Sequence, residues 1–166
     1  MSTMTETAVT TQVHRVYINA TPEAIWEAIT SPEWTAKYGY HGIAEFDLKP
    51  GGRFRMTAPK EMQEMGMPAE LLDGEVIEAD PPRKLVQTWH ALWDEGVAGE
   101  QPTRVTWDIE ADNGGITRLT VTHELEDIGR IDPAVERAIY FSCVEALQNV
   151  AKHAGPEAVA RLGLCQ

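Results

Sequence analysis

The stretch DPAVERAIYFSCVEALQNVAKHA, Asp132 to Ala154, decides how the rest of the chain is read. On a wheel at about 100° per residue, Val135, Ile139, Tyr140, Cys143, Val144, Ala146, Leu147, Val150, Ala151 and Ala154 form an apolar stripe over roughly half the circumference. Asp132 is an N-cap acceptor, Pro133 stands where a missing N–H costs nothing, and Lys152-His153 precede a Gly155-Pro156 stop. The spacing predicts one long C-terminal helix, and so wide a stripe requires a broad surface to cover it. Two residues depart from the pattern. Phe141 falls on the polar arc, as a singly exposed aromatic or as a subunit contact. Glu136 falls inside the apolar arc, either as a first-turn carboxylate that suits the helix dipole or as a carboxylate at the mouth of an apolar cavity.

The covering surface lies upstream. Segments 43–48 (IAEFDL), 52–58 (GRFRMTA), 72–79 (LDGEVIEA), 84–91 (KLVQTWHA), 103–111 (TRVTWDIEA) and 115–123 (GITRLTVTH) alternate apolar and polar residues. Turn chemistry separates them at Lys49-Pro50-Gly51-Gly52, Asp80-Pro81-Pro82 and Asp112-Asn113-Gly114-Gly115. A six-strand antiparallel meander follows, and 13–19 (VHRVYIN) makes a seventh strand by pairing with the last. Thr21-Pro22-Glu23 and Ser31-Pro32-Glu33 each join a hydroxyl N-cap to a first-position proline and an acidic first turn. Two short helices are expected there, the first burying Ile25, Ile29 and Trp26, the second carrying Trp34 and Tyr38 up to Gly39.

The fold class expected is therefore α+β: a curved antiparallel sheet of six to seven strands wrapped around a long C-terminal helix, with two short helices after the first strand. Residues 1–12 are expected to be a disordered tail, 13–154 a single domain, and 155–166 a short helical or frayed extension. Two connections exceed hairpin length. In 59–71, Met62, Met65 and Met67 suit either a mobile flap over a ligand or a structured loop with its methionines tucked on the sheet edge. The acidic 92–101 segment reads as a flexible hairpin tip.

Composition narrows the function classes. Fourteen basic residues against 26 acidic ones give a net charge of −12, which disfavours nucleic acid and anionic lipid surfaces. No run of 18 apolar residues and no signal-peptide pattern occur, and only Cys143 and Cys165 carry thiols, so a cytoplasmic chain without membrane insertion is expected. His14, His41, His90, His123 and His153 lack metal-ligand spacing, so no metal is expected. There is no GxSxG elbow and no glycine-rich phosphate cradle, Cys143 sits on an apolar stripe, and no cofactor is expected.

What remains is the inner face of the sheet. Val105, Trp107 and Ile109 share one parity, as do Leu119, Val121 and His123, and Phe46, Leu48, Phe54 and Met56 share the inward parity on two other strands. In 84–91 the parity is ambiguous, because Leu85/Gln87/Trp89 and Val86/Thr88/His90 both mix apolar with polar. His123 is open to two readings, a satisfied core or rim histidine and a hydrogen-bond partner or proton shuttle for a ligand.

Several local motifs, taken in order, resemble a known family. These are Ile18 to Trp34 (INATPEAIWEAITSPEW), Leu48 to Met56 (LKPGGRFRM), Gly74 to Trp89 (GEVIEADPPRKLVQTW), Leu119 to Glu124 (LTVTHE) and the final helix. Together they resemble the START-like, helix-grip (SRPBCC) superfamily and, within it, the proteins similar to the C-terminal domain of the Hsp90 ATPase activator. The resemblance implies a cavity between sheet and helix that relatives use for lipids, polyketides or hormones, some acting as aromatases or cyclases and others only binding. Where family members often carry Gly-Trp-Pro, this chain has Ile139-Tyr140-Phe141, which puts Tyr140 in the tryptophan's place. No counterpart of the activator's chaperone-binding N-terminal domain is expected before Val13.

Three functions follow as expectations. The first is binding of a small hydrophobic molecule by Phe46, Phe54, Met56, Trp89, Trp107, His123, Glu136, Tyr140 and Val144. The second is a cyclase, aromatase or hydrolase in which His123 and Glu136 move protons. The third is a protein-interaction module, with a chaperone or regulatory partner or a homodimer contact through Phe141.

Overall fold

The alternation of apolar and polar residues builds one continuous antiparallel sheet. The computed structural model describes residues 10–37, 41–125 and 161–163. The helix expected over 132–154, with Glu136, Tyr140, Phe141, Cys143 and Val144, lies outside the described residues, as do Tyr38 and Gly39. The strands are β1 Thr10–Ile18, β2 Ile43–Phe46, β3 Arg53–Thr57, β4 Glu70–Asp80, β5 Lys84–Ala91, β6 Thr103–Ala111, β7 Thr117–Leu125 and β8 Arg161–Gly163. Their order across the sheet is β2-β3-β4-β5-β6-β7-β1-β8, so the first strand closes on the last of the meander as expected. Register shifts at Met56/Thr57 and Val76/Glu78 add the local bends that curve such a sheet.

The C-terminal strand corrects one expectation. Arg161–Gly163 pair with Arg15–Tyr17 at the sheet edge, where a helical or frayed end was expected.

The helix starts behave largely as their sequence dictates. In α1, Pro22–Thr30, the Thr21 hydroxyl accepts from the Ala24 N–H at 3.2 Å, and Ile25, Ala28 and Ile29 are buried. Ser31 departs from the pattern: its side chain makes no cap bond to α2, Pro32–Thr35, and its N–H instead closes α1 on the Glu27 carbonyl. The buried Thr35 hydroxyl then accepts the Ala44 N–H at 3.0 Å and anchors α2 to β2.

Both long connections are structured. In the first, α3, Lys60–Glu64, leaves Met65 84% exposed while Met62 and Met67 pack against the apolar group of Ala44, Phe54, Ala58, Leu71 and Leu72. In the second, α4, Glu95–Ala98, replaces the expected flexible tip, and Trp93 packs on the same apolar group. The larger core joins Ile18, Ile25, Leu85, Val105, Ile109, Leu119 and Val121 across β1, α1 and β5 to β7.

Candidate functional site

Pairing register settles which side chains share the inner face. One cross-strand row reads Gln87, Val105, His123, Gln12, and the next reads Leu85, Trp107, Val121, His14. The ambiguous parity of β5 is thereby resolved: Leu85, Gln87 and Trp89 face with Trp107 and His123, and Val86, Thr88 and His90 face away. Leu48 does not join them, because β2 ends at Phe46 and Leu48 is exposed.

The six described residues expected to line a cavity fall on connected apolar groups. Phe46 and Phe54 stack with centroids 4.6 Å apart, and Met56 packs on the same group. Trp107 packs on the larger core, while Phe46 and Trp89 touch both groups and bridge them. Trp89 also stacks on His123 with centroids 5.9 Å apart. Glu136, Tyr140 and Val144 lie outside the described residues.

Among the described residues, three buried polar atoms on this apolar face have no hydrogen-bond partner: Gln87 Oε1, Trp107 Nε1 and His123 Nδ1. Leaving such a group buried and unpaired costs about 1–3 kcal/mol, and proteins keep few of them. Trp107 is the diagonal neighbour of both Gln87 and His123, a spacing of about 7–8 Å that long side chains span. Gln87 and Thr103 were not singled out from sequence. Both faces of β5 mix apolar with polar, so the pattern held no clear signal for Gln87, which the structure buries to 2% exposure between Leu85 and Trp89 on the inner face.

The protonation of His123 follows from its other nitrogen. Thr103 Oγ1 lies 2.6 Å from His123 Nε2, and the same hydroxyl donates to the Trp89 carbonyl at 3.2 Å. Its single proton spent there, the hydroxyl accepts from Nε2–H, which leaves Nδ1 with a bare lone pair. Burial pushes the His123 pKa down to about 4, and His14 across the strand pair adds to the fall. His123 is therefore neutral at physiological pH, an acceptor held in one tautomer.

A second histidine is built the opposite way, on the outer face. His90 Nδ1 lies 2.8 Å from Asp73 Oδ1, and Nε2 lies 2.9 Å from the Ala98 carbonyl in α4. Desolvation lowers its pKa, but the bonds to Ala98 and Asp73 together outweigh it and the net shift is upward. Only the protonated ring donates from both nitrogens, so the latch holding α4 is complete below the unfolded value of about 6.5 and weakens as pH rises through the raised folded pKa. Amide exchange over Glu95–Ala98, corrected for its intrinsic pH dependence, is expected to quicken from pH 6 to pH 8. The change should flatten in Asp73→Asn; an equal response in both proteins would contradict the latch.

Elsewhere, a cleft of about 580 Å³ is lined by Pro22, Glu23, Asp80, Arg83, Lys84 and Asp108 among others. Pro82, Ile109 and Ala111 add apolar wall to it, but it is open to solvent, mixes both charge signs and contains none of the expected lining residues. Among the described residues no group of three or more His, Cys, Asp or Glu could hold a metal, and no helix is long and apolar enough to cross a membrane.

Comparison with known proteins places this geometry in context. The sequence profile of the family described as "Activator of Hsp90 ATPase homolog 1-like protein" matches residues 19–151. No curated protein matches the sequence. Among solved structures, an HSP90 activator from Plasmodium falciparum is similar at 21% identity and TM-score 0.64, over 92% of this chain and 99% of that one. CalU16 from Micromonospora echinospora is similar at 18% identity and TM-score 0.57, over 90% of this chain and 88% of that one. DynU16, a protein of the dynemicin biosynthetic locus, matches at 17% identity and TM-score 0.60, over 86% of this chain and 46% of that one. At these identities the structures share the fold.

Proposed function

This chain belongs to the Activator of Hsp90 ATPase homolog 1-like family, and we propose that it binds a small, largely apolar molecule against the inner face of its sheet. The observation that carries this reading is the set of three buried, unpartnered polar atoms at Gln87, Trp107 and His123 on a face otherwise lined by aromatic and aliphatic side chains. A face built only as core has no use for them, since apolar residues of similar shape would be more stable. Phe46, Phe54, Met56 and Trp89 supply the apolar contact, and Glu136, Tyr140 and Val144 are the residues expected from the helix side. A neighbour from the dynemicin biosynthetic locus is in keeping with small-molecule binding.

The chemistry favours binding over turnover. With its pKa at about 4, His123 is a weak base at neutral pH, about three units from where a general base works best. A regulatory contact with a chaperone, suggested by the Plasmodium falciparum activator, would leave the three polar atoms without a role.

Native mass spectrometry of protein gently purified from its own host tests the proposal. A stoichiometric added mass of small-molecule size is expected. Stripped of that molecule and resupplied with it at 100 times its Kd, the protein should gain about 2.7 kcal/mol of stability. Trp107→Ala should lose both the added mass and the gain. Bare protein with no thermal shift against apolar compounds would overturn the reading.

A further inference from the structure

Resting on the binding reading above, the geometry points to a finer selectivity: we infer that the inner face selects a neutral apolar molecule carrying a hydroxyl group, which accepts from Trp107 Nε1–H and donates to His123 Nδ1 or Gln87 Oε1. The three free positions do not all ask for the same partner. Indole nitrogen only donates, whereas a bare imidazole nitrogen and an amide oxygen only accept. Read across the sheet, the face offers acceptor, donor, acceptor, with Trp107 the diagonal neighbour of the other two.

The pattern excludes the common charged groups. A carboxylate meets one donor and two acceptors, in a chain whose net charge is −12, and its burial without a cation is costly. An ammonium suits the two acceptors but meets the indole N–H, which cannot accept, and its charge is no easier to bury. A ketone or ether uses Trp107 alone and leaves both acceptors bare. One hydroxyl satisfies the indole and one acceptor together, and a second hydroxyl would reach the remaining acceptor. The tautomer matters to this discrimination. Because the Thr103 hydroxyl spends its proton on the Trp89 carbonyl, His123 cannot turn Nδ1 into a donor to suit a carbonyl without drawing that proton to Nε2 and losing the bond to Trp89. A site built to bond a hydroxyl discriminates against analogues without one because its own polar groups are left unpaired.

Matched naphthalenes test the inference on the intact chain, with binding read by calorimetry. 2-Naphthol should bind at least tenfold more tightly than 2-methoxynaphthalene, which accepts but cannot donate, and than naphthalene, while 2-naphthoate should bind least. In His123→Phe, and further in His123→Phe/Gln87→Leu, the preference of naphthol over methoxynaphthalene should shrink toward unity, whereas Trp107→Phe should remove the preference of methoxynaphthalene over naphthalene. A readout that needs no variant is the ¹⁵N resonance of His123 Nδ1, which should move upfield with naphthol as a bare ring nitrogen does on accepting a hydrogen bond, and stay in place with methoxynaphthalene. Equal affinity for naphthol, methoxynaphthalene and naphthalene would overturn hydroxyl selection and leave the apolar site standing. No binding of any of the four would overturn both.

Discussion

Gly74→Ala is expected to lower the unfolding free energy by about 3 kcal/mol, at the upper end of what overpacking costs. An added Cβ would stand 2.2 Å from the Thr88 carbonyl oxygen and 2.9 Å from its carbon. Those are backbone atoms of the neighbouring strand and cannot swing aside. Gly74 lies between the pairs Asp73–His90 and Val76–Gln87, where the Glu75 N–H bonds the Thr88 hydroxyl at 2.8 Å. Relief therefore requires β4 and β5 to part beside Trp89, the ring that stacks on His123. Urea unfolding should show a large fall in midpoint. Gly99→Ala, whose Cβ would come no nearer than 3.5 Å to anything, is the control and should stay close to wild type. A Gly74→Ala midpoint near that of the control would contradict the close approach.

The second large effect is an acid-side loss of stability carried by His123. Its folded pKa is about 4, against about 6.5 in the unfolded chain, so the unfolded state takes up a proton that the native state refuses. Stability from this group is complete above about 6.5 and falls as pH drops toward 4. The difference corresponds to about 3 kcal/mol between neutral pH and pH 4. His14, whose pKa is lowered by its own burial, acts in the same direction, whereas the raised His90 pKa affects stability above 6.5 and not in this window. Urea unfolding at pH 7 and pH 4 should show His123→Phe losing about 3 kcal/mol less than wild type on acidification. Parallel losses would place the acid sensitivity elsewhere.

The meander was legible because each strand alternates cleanly and each turn carries its own chemistry. Residues 84–91 and 103–111 begin and end in the structure where the pattern puts them. Thr21 was legible as a cap for the same local reason. Less local features were not. Arg161–Gly163 pair through backbone bonds to β1, which three residues of sequence do not announce. The helices α3 and α4 are short turns held by contacts to other elements, Met62 and Met67 against the apolar group that includes Leu71 and Leu72, and the Ala98 carbonyl against His90.

The candidate site was legible in part. Trp107 and His123 follow from strand parity, because a tryptophan and a histidine each continue an apolar stripe. Gln87 is a different case: β5 has two mixed faces, and only pairing with Val105 shows which one turns inward. The proton position on His123 depends on Thr103 and Trp89, residues 20 and 34 positions away in the chain, and no sequence pattern connects them.

The most direct measurement is of the Trp107 indole N–H, one of five tryptophan side-chain resonances in a ¹⁵N-labelled sample, assigned by its absence in Trp107→Phe. On addition of 2-naphthol the Trp107 signal is expected to shift strongly downfield and become protected from solvent exchange, as an unpartnered donor does on gaining an acceptor. A Trp107 signal unmoved at saturating naphthol, with other tryptophans shifting instead, would show that the inner face is a filled core and that any ligand binds elsewhere.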